Sequence, residues 1–230
     1  MRRARRPAIC NLYSLTPKRD HVGRFFRVSH NRTVAFEPVN AIFPRHVAPV
    51  VRQSEDGERE IVLMNWGFFR LEKGRSPRPV TNVRDDQIRT NPFWRDSFQK
   101  RRCLVPADGF YEWRKDKSDK RPWRIVDAER PAFAFAGVWE GWRNPAGEIV
   151  RSFAIVTTDA NEKLAPIHDR MPVMLKREDE DAWLDPGSSE PTLASLLAPY
   201  DTAKTELYRV DARVNSVKND DPECHAKVEQ

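Results

Sequence analysis

The chain has 230 residues, 39% hydrophobic and 32% charged, with a formal net charge of +6 at pH 7. This length favours one domain, because surface-to-volume scaling lets a single core serve up to roughly 250 residues. No apolar stretch approaches the roughly 20 residues of a membrane-spanning helix, and no apolar segment of a secretory signal follows the arginine-rich start, so we expect a protein of the reducing cytoplasm.

The first part of the chain predicts two short helices separated by extended chain. Thr16 begins an amphipathic stretch that has a proline at its first helical position, which predicts a helix closing near Val28. Three prolines predict irregular, extended chain over 39–52, before a strand at 61–68. The aromatic spacing within 91–100 predicts a second helix with one buried face.

The second part predicts an antiparallel meander. Runs rich in β-branched and aromatic residues alternate with short polar loops, a pattern typical of sequential antiparallel strands rather than βαβ units. The predicted strands are 102–106, 110–113, 123–127, 132–139, 152–158 and 206–211, and two helices are predicted at 177–184 and 192–198. The sequence therefore predicts an α+β fold, a single domain with a central curved or barrel-like antiparallel sheet flanked by short helices.

Three polar side chains lie where they could carry chemistry. Glu112 lies between aromatic residues in G-F-Y-E-W, and in an apolar cavity its pKa would rise to suit proton transfer near neutrality; a solvent-facing place on the strand is the alternative. His168 lies in a loop bounded by prolines, where either a functional group or a surface histidine beside an ion pair fits. Asn82 is equally compatible with a turn.

The three cysteines need separate explanations, because none is spaced for zinc and an odd number argues against a disulfide framework. Cys103, in an apolar strand, fits a small buried hydrophobe, and from composition alone Cys10 fits the same interpretation. Cys224 is predicted to be an exposed thiol in a polar tail. Its neighbour His225 does not make it a metal ligand, since two adjacent residues are not a site.

Six segments of the chain occur in the order and spacing of one known family. They are C-N-L-Y-S at 10–14, W-G at 66–67, N-V-R at 82–84, R-C-L-V-P-A-D-G-F-Y-E-W at 102–113, I-H-D-R-M-P at 167–172 and V-N-S-V-K-N-D at 214–220. Together they closely resemble the SOS response associated peptidase (SRAP) family, which includes bacterial and vertebrate proteins that crosslink to abasic sites in DNA. The resemblance implies no metal and no organic cofactor.

The resemblance implies a mechanism in which the cysteine is the first residue of the mature chain. Its thiol and α-amine attack the ring-opened aldehyde of the abasic sugar and give a thiazolidine crosslink, which shields the lesion in the SOS response to DNA damage. A free amine forms the Schiff base, and the thiol on the adjacent carbon then closes a five-membered ring at high effective molarity. Cys10 is then the nucleophile, Asn82 orients it, Glu112 moves the proton that opens the sugar ring, and His168 assists Schiff base formation and ring closure.

The resemblance also implies contacts with single-stranded DNA. Arg84 should grip a phosphate, with an ion pair to a neighbouring aspartate as the alternative. Trp66 and Trp113 match tryptophans near the DNA groove, with core packing as the alternative. Arg170 and Lys218 should add positive charge, so binding should fall as salt rises. The implied protein is a monomer that acts on damaged DNA in the nucleoid and has no membrane partner.

The start of the chain departs from the family pattern. Members begin M-C and lose the methionine, whereas M-R-R-A-R-R-P-A-I precedes Cys10 here. Self-cleavage, another protease or a different translation start would each expose Cys10. We expect residues 1–9 to be removed or absent, 10–222 to form the domain and 223–230 to be a loose tail. An autopeptidase and a noncovalent binding module for single-stranded DNA are the competing functions.

Overall fold

The computed structural model describes residues 10–70, 78–114, 121–144 and 146–228, so the predicted extension 1–9 lies outside the described residues. The strands are β1 (Tyr13–Leu15), β2 (Val39–Ile42), β3 (Val47–Gln53), β4 (Arg59–Trp66), β5 (Phe68–Arg70), β6 (Arg78–Val80), β7 (Asn82–Arg84), β8 (Arg102–Ala107), β9 (Gly109–Glu112), β10 (Trp123–Asp127), β11 (Phe133–Arg143), β12 (Ile149–Asp159), β13 (Arg170–Pro172), β14 (Met174–Leu175) and β15 (Thr205–Arg209). The α-helices are α1 (Arg19–Phe25), α2 (Asp85–Ile88), α3 (Pro92–Lys100), α4 (Glu180–Leu184) and α5 (Glu190–Ser195). Single 3-10 turns span His30–Arg32, Arg177–Asp179, Ala212–Asn215 and Pro222–His225.

Five strands close into a barrel. β4, β3, β8 and β11 pair in this order and are antiparallel, and β12 closes the ring by pairing antiparallel with β11 and parallel with β4. β12 also pairs in parallel with β7, which attaches that strand to the barrel. The predicted α+β fold with a barrel-like sheet is confirmed, and the expectation of purely antiparallel pairing is wrong at these two places.

A second sheet lies beside the barrel in the order β15-β10-β9-β1-β2, with every pair antiparallel. β9 continues directly from the barrel strand β8 after a bend at Asp108, so the two sheets share one stretch of chain. The short strand β1 is held between β9 and β2. This arrangement brings the first described residue, Cys10, to the junction between the second sheet and β7.

Local signals explain the elements that the sequence predicted well. Helix α3 begins where the Asn91 side chain accepts a hydrogen bond from the Phe93 amide and Pro92 occupies the first helical turn. Its side chains Trp94 and Phe98 are buried against the core, as their spacing predicted. Within the described ranges, no helix is long and apolar enough to cross a membrane.

The proline-rich region over 39–52 is not irregular, and the prediction is wrong there. It forms β2 and β3, and Pro49 lies inside β3 opposite Leu63 of β4. β3 pairs with β8 only at Val51, so the proline, which has no amide hydrogen, lies where no second strand requires one. The fixed φ of proline is also compatible with extended chain.

The end of the chain packs against the second sheet, which corrects the predicted loose tail over residues 223–228. Cys224 is fully buried in a small apolar cluster, so the expectation of an exposed thiol is wrong. The His225 Nε2 lies 3.1 Å from the Asn40 carbonyl, and the Val228 amide donates to the Arg209 carbonyl at 3.0 Å. Cys224, Ala226 and Val228 alternate with polar residues, but a run of six residues is too short for this alternation to predict a packed segment.

Candidate active site

Three of the predicted catalytic residues meet at the junction of β1, β7 and β9. The backbone nitrogen of Cys10 donates a hydrogen bond of 2.7 Å to Oε1 of Glu112, 102 residues away in the sequence. The Asn82 side chain donates to the Cys10 carbonyl at 3.3 Å and to the Thr81 hydroxyl at 3.2 Å. The cysteine is therefore held from both sides of its own backbone.

Cys10 combines an unusual backbone conformation with complete burial. Its φ of 41° lies in the left-handed region, which a non-glycine side chain occupies at a cost in conformational energy. Burial, and to a smaller extent the Glu112 carboxylate, raises the pKa of its thiol well above the usual value. The thiol is therefore protonated at neutral pH.

Glu112 lies in an environment that favours its neutral form. Burial raises the pKa of its carboxyl group to about 8, and the nearby Asp169 carboxylate adds to the rise, while hydrogen bonds from the amides of Cys10 and Trp113 oppose it. The solvent-facing alternative is wrong, since Glu112 is only 2% exposed. A carboxyl group with this pKa can donate and accept a proton near neutrality.

His168 is buried, so the alternative of a surface histidine is also wrong. Its Nδ1 accepts a hydrogen bond of 3.1 Å from the Arg170 amide and lies 3.2 Å from a carboxylate oxygen of Asp169. Because Nδ1 accepts this bond, the hydrogen of the neutral ring is on Nε2. A proton on Nδ1 would instead be donated to the Asp169 carboxylate. The Asp169 carboxylate also raises the pKa of Glu112 through its charge, but no hydrogen bond between described residues joins His168 to Cys10, Asn82 or Glu112.

A cleft of about 390 Å³ lies beside these residues. Its walls are formed by residues within three positions of Cys10, Asn82 or Glu112 in the sequence, together with two apolar residues of the loop after β2 and one residue of the C-terminal segment. The lining residues are Asn11, Leu12, Phe43, Pro44, Pro79, Thr81, Trp113 and Asn215. Such a concave, largely apolar cleft next to groups with a perturbed pKa is typical of a ligand site.

The residues predicted to contact DNA occupy very different places. Trp113 lines the cleft, and Lys218 is exposed at the surface. Trp66, by contrast, has no exposed surface: its indole nitrogen donates to the Thr81 carbonyl at 3.1 Å and its ring packs at 5.0 Å on the ring of Tyr13. Trp66 therefore packs in the core, where it contacts Thr81 and Tyr13 next to the site.

The two arginines also differ. Arg84 follows the site asparagine on β7 and makes two hydrogen bonds, of 2.9 and 2.8 Å, to the Asp86 carboxylate, with its side chain 40% exposed. Arg170 is buried and makes ion pairs of 2.6 Å with Asp85 and 2.7 Å with Asp159. Arg84 is thus paired with a neighbouring aspartate at the surface, the alternative to a phosphate contact, whereas Arg170 holds the chain around the site.

Two neighbours of the site were not predicted from the sequence. Thr81 bridges Asn82 to the Asn11 side chain, its hydroxyl donating to the Asn11 amide oxygen at 3.2 Å. Threonine and asparagine at these positions carry no signal of their own, and only the packing of β7 against the residues before β1 brings them together. In the described part of the chain, no three His, Cys, Asp or Glu side chains are grouped so that they could hold a metal ion.

The comparisons with known proteins agree on one family. The family model described as SOS response associated peptidase (SRAP) matches residues 9–217. The abasic site processing protein YoqW of Bacillus subtilis is 44% identical over 224 residues, which cover 94% of this chain and 98% of that protein. The abasic site processing protein HMCES of Xenopus tropicalis is 30% identical over 202 residues, covering 77% of this chain and 60% of that protein.

A solved structure shows the same fold. The crystal structure of a protein from Bacteroides thetaiotaomicron superposes with a TM-score of 0.83 and is 29% identical, covering 96% of this chain and 100% of that one. A protein from Bordetella bronchiseptica superposes with a TM-score of 0.74 at 23% identity, over 88% of this chain.

Proposed function

Because this chain belongs to the SOS response associated peptidase family, we propose that it processes abasic sites in single-stranded DNA by capturing them covalently at Cys10. Relatives at up to 44% identity over nearly the whole chain are named abasic site processing proteins. The observation that carries the proposal is the 2.7 Å hydrogen bond between the backbone nitrogen of Cys10 and the Glu112 carboxyl group. It places an acid–base group on the atom that would be the reactive amine of a chain beginning at Cys10.

In the proposed reaction the nitrogen and the sulfur of Cys10 each form one bond to the aldehyde carbon of the sugar. Glu112 moves a proton as the sugar ring opens to its aldehyde, and the free amine of Cys10 then condenses with the aldehyde, releasing water. The thiol adds to the resulting imine carbon, and its proton passes to the nitrogen, which gives a thiazolidine. The second step is intramolecular and therefore has a high effective molarity.

The protonation states at the site favour this order of events. The pKa of the Cys10 thiol is raised, so at neutral pH the sulfur is protonated and is a weak nucleophile. The amine therefore reacts first, and the thiol adds only to the more electrophilic imine carbon. The pKa of the Glu112 carboxyl group is raised to about 8 while the Cys10 nitrogen beside it is a neutral amide. In a chain that begins at Cys10 the positive charge of a protonated amine would lower this pKa, so Glu112 would take a proton from the amine and return it as the charge is lost.

The surroundings fit a strand of DNA. The cleft beside Cys10 offers the Trp113 ring to a base or a sugar, and Arg84 offers a guanidinium group to a phosphate. The bound strand must displace Asp86 from Arg84, since that carboxylate takes two of its hydrogen bonds in the free protein. Lys218 adds a further exposed positive charge.

Incubation of the protein with single-stranded DNA that carries one abasic site tests the proposal. We expect an adduct that survives heat and SDS, and whose amount Cys10→Ala reduces to background. The protein used should begin at Cys10, with its N-terminus verified by mass spectrometry. A complex that forms but dissociates on denaturation would leave only a noncovalent binding module, and an adduct formed by a chain with residues 1–9 still attached would refute the thiazolidine mechanism.

A second candidate activity is the release of residues 1–9 by the protein itself. The observation that favours it is the left-handed φ of 41° at Cys10, together with the Glu112 carboxyl group on the Cys10 nitrogen. The thiol would add to the carbonyl carbon of Ile9 as its proton passes to the ionised Glu112 carboxylate. The bond between Ile9 and Cys10 would break as Glu112 returns this proton to the leaving nitrogen, and water would hydrolyse the thioester, which restores the thiol and releases the Ile9 carboxylate. This reaction would supply the free amine that capture requires.

Mass spectrometry of freshly purified protein over several days tests self-release. We expect wild-type protein to lose residues 1–9 and both Cys10→Ala and Glu112→Gln proteins to keep them. Equal cleavage of all three proteins would assign the release to another protease, and intact Met1 on wild-type protein would refute it.

A further inference from the structure

A buried ionic network lies between the strands that carry Cys10 and Glu112. We call it the strand latch and define it as Ser14, Thr16, Asp108 and Arg124. The Asp108 carboxylate accepts hydrogen bonds from the Ser14 hydroxyl at 2.5 Å, from the Thr16 amide at 3.0 Å and from the Thr16 hydroxyl, and pairs with the Arg124 guanidinium at 3.2 Å. Asp108 and Arg124 are 9% and 8% exposed.

The latch joins three strands of the second sheet. Ser14 belongs to β1, Asp108 directly precedes β9, and Arg124 belongs to β10, where its guanidinium also donates to the Tyr208 hydroxyl of β15 at 2.8 Å. The register pairs Ser14 with Gly109 and Tyr13 with Phe110. The latch therefore fixes how β1 lies along β9.

We propose that Asp108 and Arg124 are positioning residues, which hold the Cys10 end of β1 on the Glu112 end of β9; this inference rests on the proposed function. Continuing the antiparallel register of Ser14 with Gly109 towards the start of the chain brings Cys10 opposite Trp113, next to Glu112. The hydrogen bond from the Cys10 nitrogen to Glu112 closes the pair at this end. A slip of one residue in this register would turn the side chains to the opposite face.

The need for such an anchor follows from the proposed chemistry. In a chain that begins at Cys10, the reactive amine lies three residues before the short strand β1, whose pairing with β9 sets its place on the sheet. Terminal residues fray unless they are tied down, and each free residue gains backbone entropy. β1 and β2 also pair with a register shift between Tyr13 and Leu15, which leaves β9 as the regular partner. The latch adds side-chain contacts to β1 just after the segment that leads from Cys10 into the strand.

Gly109 is part of the same arrangement. A Cβ atom built at Gly109 would lie 2.9 Å from three atoms of the Arg124 guanidinium, closer than such atoms approach in proteins. The absence of a side chain at Gly109 therefore allows the guanidinium to cross over β9 and reach Asp108. Gly109→Ala would displace the Arg124 guanidinium without changing the identity of any latch residue.

The chain contains a matched control. Asp127, on the same strand as Arg124, is buried and pairs with Arg130 at 2.5 Å, and it accepts a hydrogen bond from the Tyr200 hydroxyl at 2.7 Å. This remote triad has the same three residue types as Asp108, Arg124 and Tyr208 but makes no contact with β1. Asp127→Asn should therefore lower the melting temperature in a similar way without loosening the Cys10 end.

The experiment compares Asp108→Asn, Gly109→Ala and Asp127→Asn in protein that begins at Cys10. The probe is single-stranded DNA with one abasic site, and both the maximal rate of adduct formation and the half-saturating DNA concentration are measured. We expect the two latch variants to lower the maximal rate about tenfold, as loss of orientation does, with the half-saturating concentration within about twofold of wild type. Asp127→Asn should keep the wild-type rate.

Hydrogen exchange gives a second readout that does not depend on any reaction. The Tyr111 amide donates to the Leu12 carbonyl at 3.0 Å and reports the pairing at the Cys10 end. We expect its exchange to accelerate about tenfold or more in the latch variants and not in Asp127→Asn. Unchanged exchange at Tyr111 would overturn the proposal, as would faster exchange with an unchanged rate of adduct formation. If wild-type protein forms no adduct, the proposed function fails, and exchange at Tyr111 alone decides whether the latch holds the Cys10 end.

Discussion

The surroundings of Cys10, the proposed nucleophile, differ from those of Cys103, a second buried cysteine. Both side chains are fully buried, and burial raises the pKa of both thiols. Cys103 lies inside β8 in the barrel wall, paired with Gly137 of β11, where a Cβ on that glycine would approach the sulfur to 2.9 Å. Cys10 precedes a strand, has a left-handed backbone and lies beside a cleft, with Glu112 on its nitrogen.

The comparison teaches that burial and a raised thiol pKa do not identify the nucleophile. Cys103 lies within a paired strand of the barrel, its carbonyl accepts a hydrogen bond from the Trp183 indole nitrogen, and its side chain is packed in the core. Around Cys10 the backbone nitrogen is bound by a carboxyl group that can exchange a proton near neutrality. The difference lies in the nitrogen of the cysteine rather than in its sulfur.

Substitution of the two cysteines in parallel is the strongest way to break this comparison. We expect Cys10→Ala to abolish the covalent adduct with abasic single-stranded DNA and to change the melting temperature little. Cys103→Ala should retain the wild-type rate of adduct formation and lose about 1 kcal/mol of unfolding free energy, because it opens a small cavity in the barrel. Denaturing gels and urea denaturation measure the two effects. Loss of the adduct in a folded Cys103→Ala protein would contradict the assignment.

The second prediction tests Glu112, the proposed proton shuttle on the Cys10 nitrogen. Glu112→Gln keeps the shape and a hydrogen-bond acceptor for the Cys10 nitrogen but cannot move a proton. We expect the rate of adduct formation to fall by about 10² or more, in the range of general acid–base catalysis. Binding of the same DNA, measured by fluorescence anisotropy before adduct forms, should stay near the wild-type value. A rate within twofold of wild type would remove Glu112 from the mechanism.

The raised pKa of Glu112 also predicts how stability depends on pH. Its value is about 8 in the folded protein, above the roughly 4.3 of an unfolded glutamate, so ionisation favours the unfolded chain. Relative to Glu112→Gln, the wild-type protein should lose unfolding free energy as pH rises from about 4.3 to about 8, with a slope of up to ~1.4 kcal/mol per pH unit. Urea denaturation at pH 5, 6.5 and 8 measures this difference. Parallel curves for the two proteins would show that the carboxyl group is not held neutral.

The smallest expected effect separates DNA binding from chemistry. Arg84 and Arg32 each make a two-pronged ion pair with an aspartate, but only Arg84 adjoins the site. We expect Arg84→Ala to weaken binding of single-stranded DNA about tenfold at low salt. It should also reduce the slope of the logarithm of the binding constant against the logarithm of the salt concentration by about 1, and Arg32→Ala should do neither. Anisotropy titrations over a range of salt concentrations provide the measurement. Equal effects of the two substitutions would indicate a general loss of positive charge.

Much of the fold and the site could be predicted because their signals are local. The cap at Asn91 and the aromatic spacing after it predicted α3, and runs of β-branched and aromatic residues predicted most of the barrel strands. The order and spacing of six short segments predicted the family, and with it the positions of Cys10, Asn82 and Glu112, which the structure brings together.

What only the tertiary structure decided depends on contacts between distant residues. The parallel closure of the barrel, the strands at 39–53 and the packed C-terminal segment each need a partner strand that local periodicity does not reveal. Trp66 and Arg170 read as DNA contacts in the sequence, yet both are buried by elements far along the chain. The pKa of Glu112 follows the same rule, because burial by the folded chain raises it and a hydrogen bond from a nitrogen 102 residues away opposes the rise, and neither exists before the chain has folded.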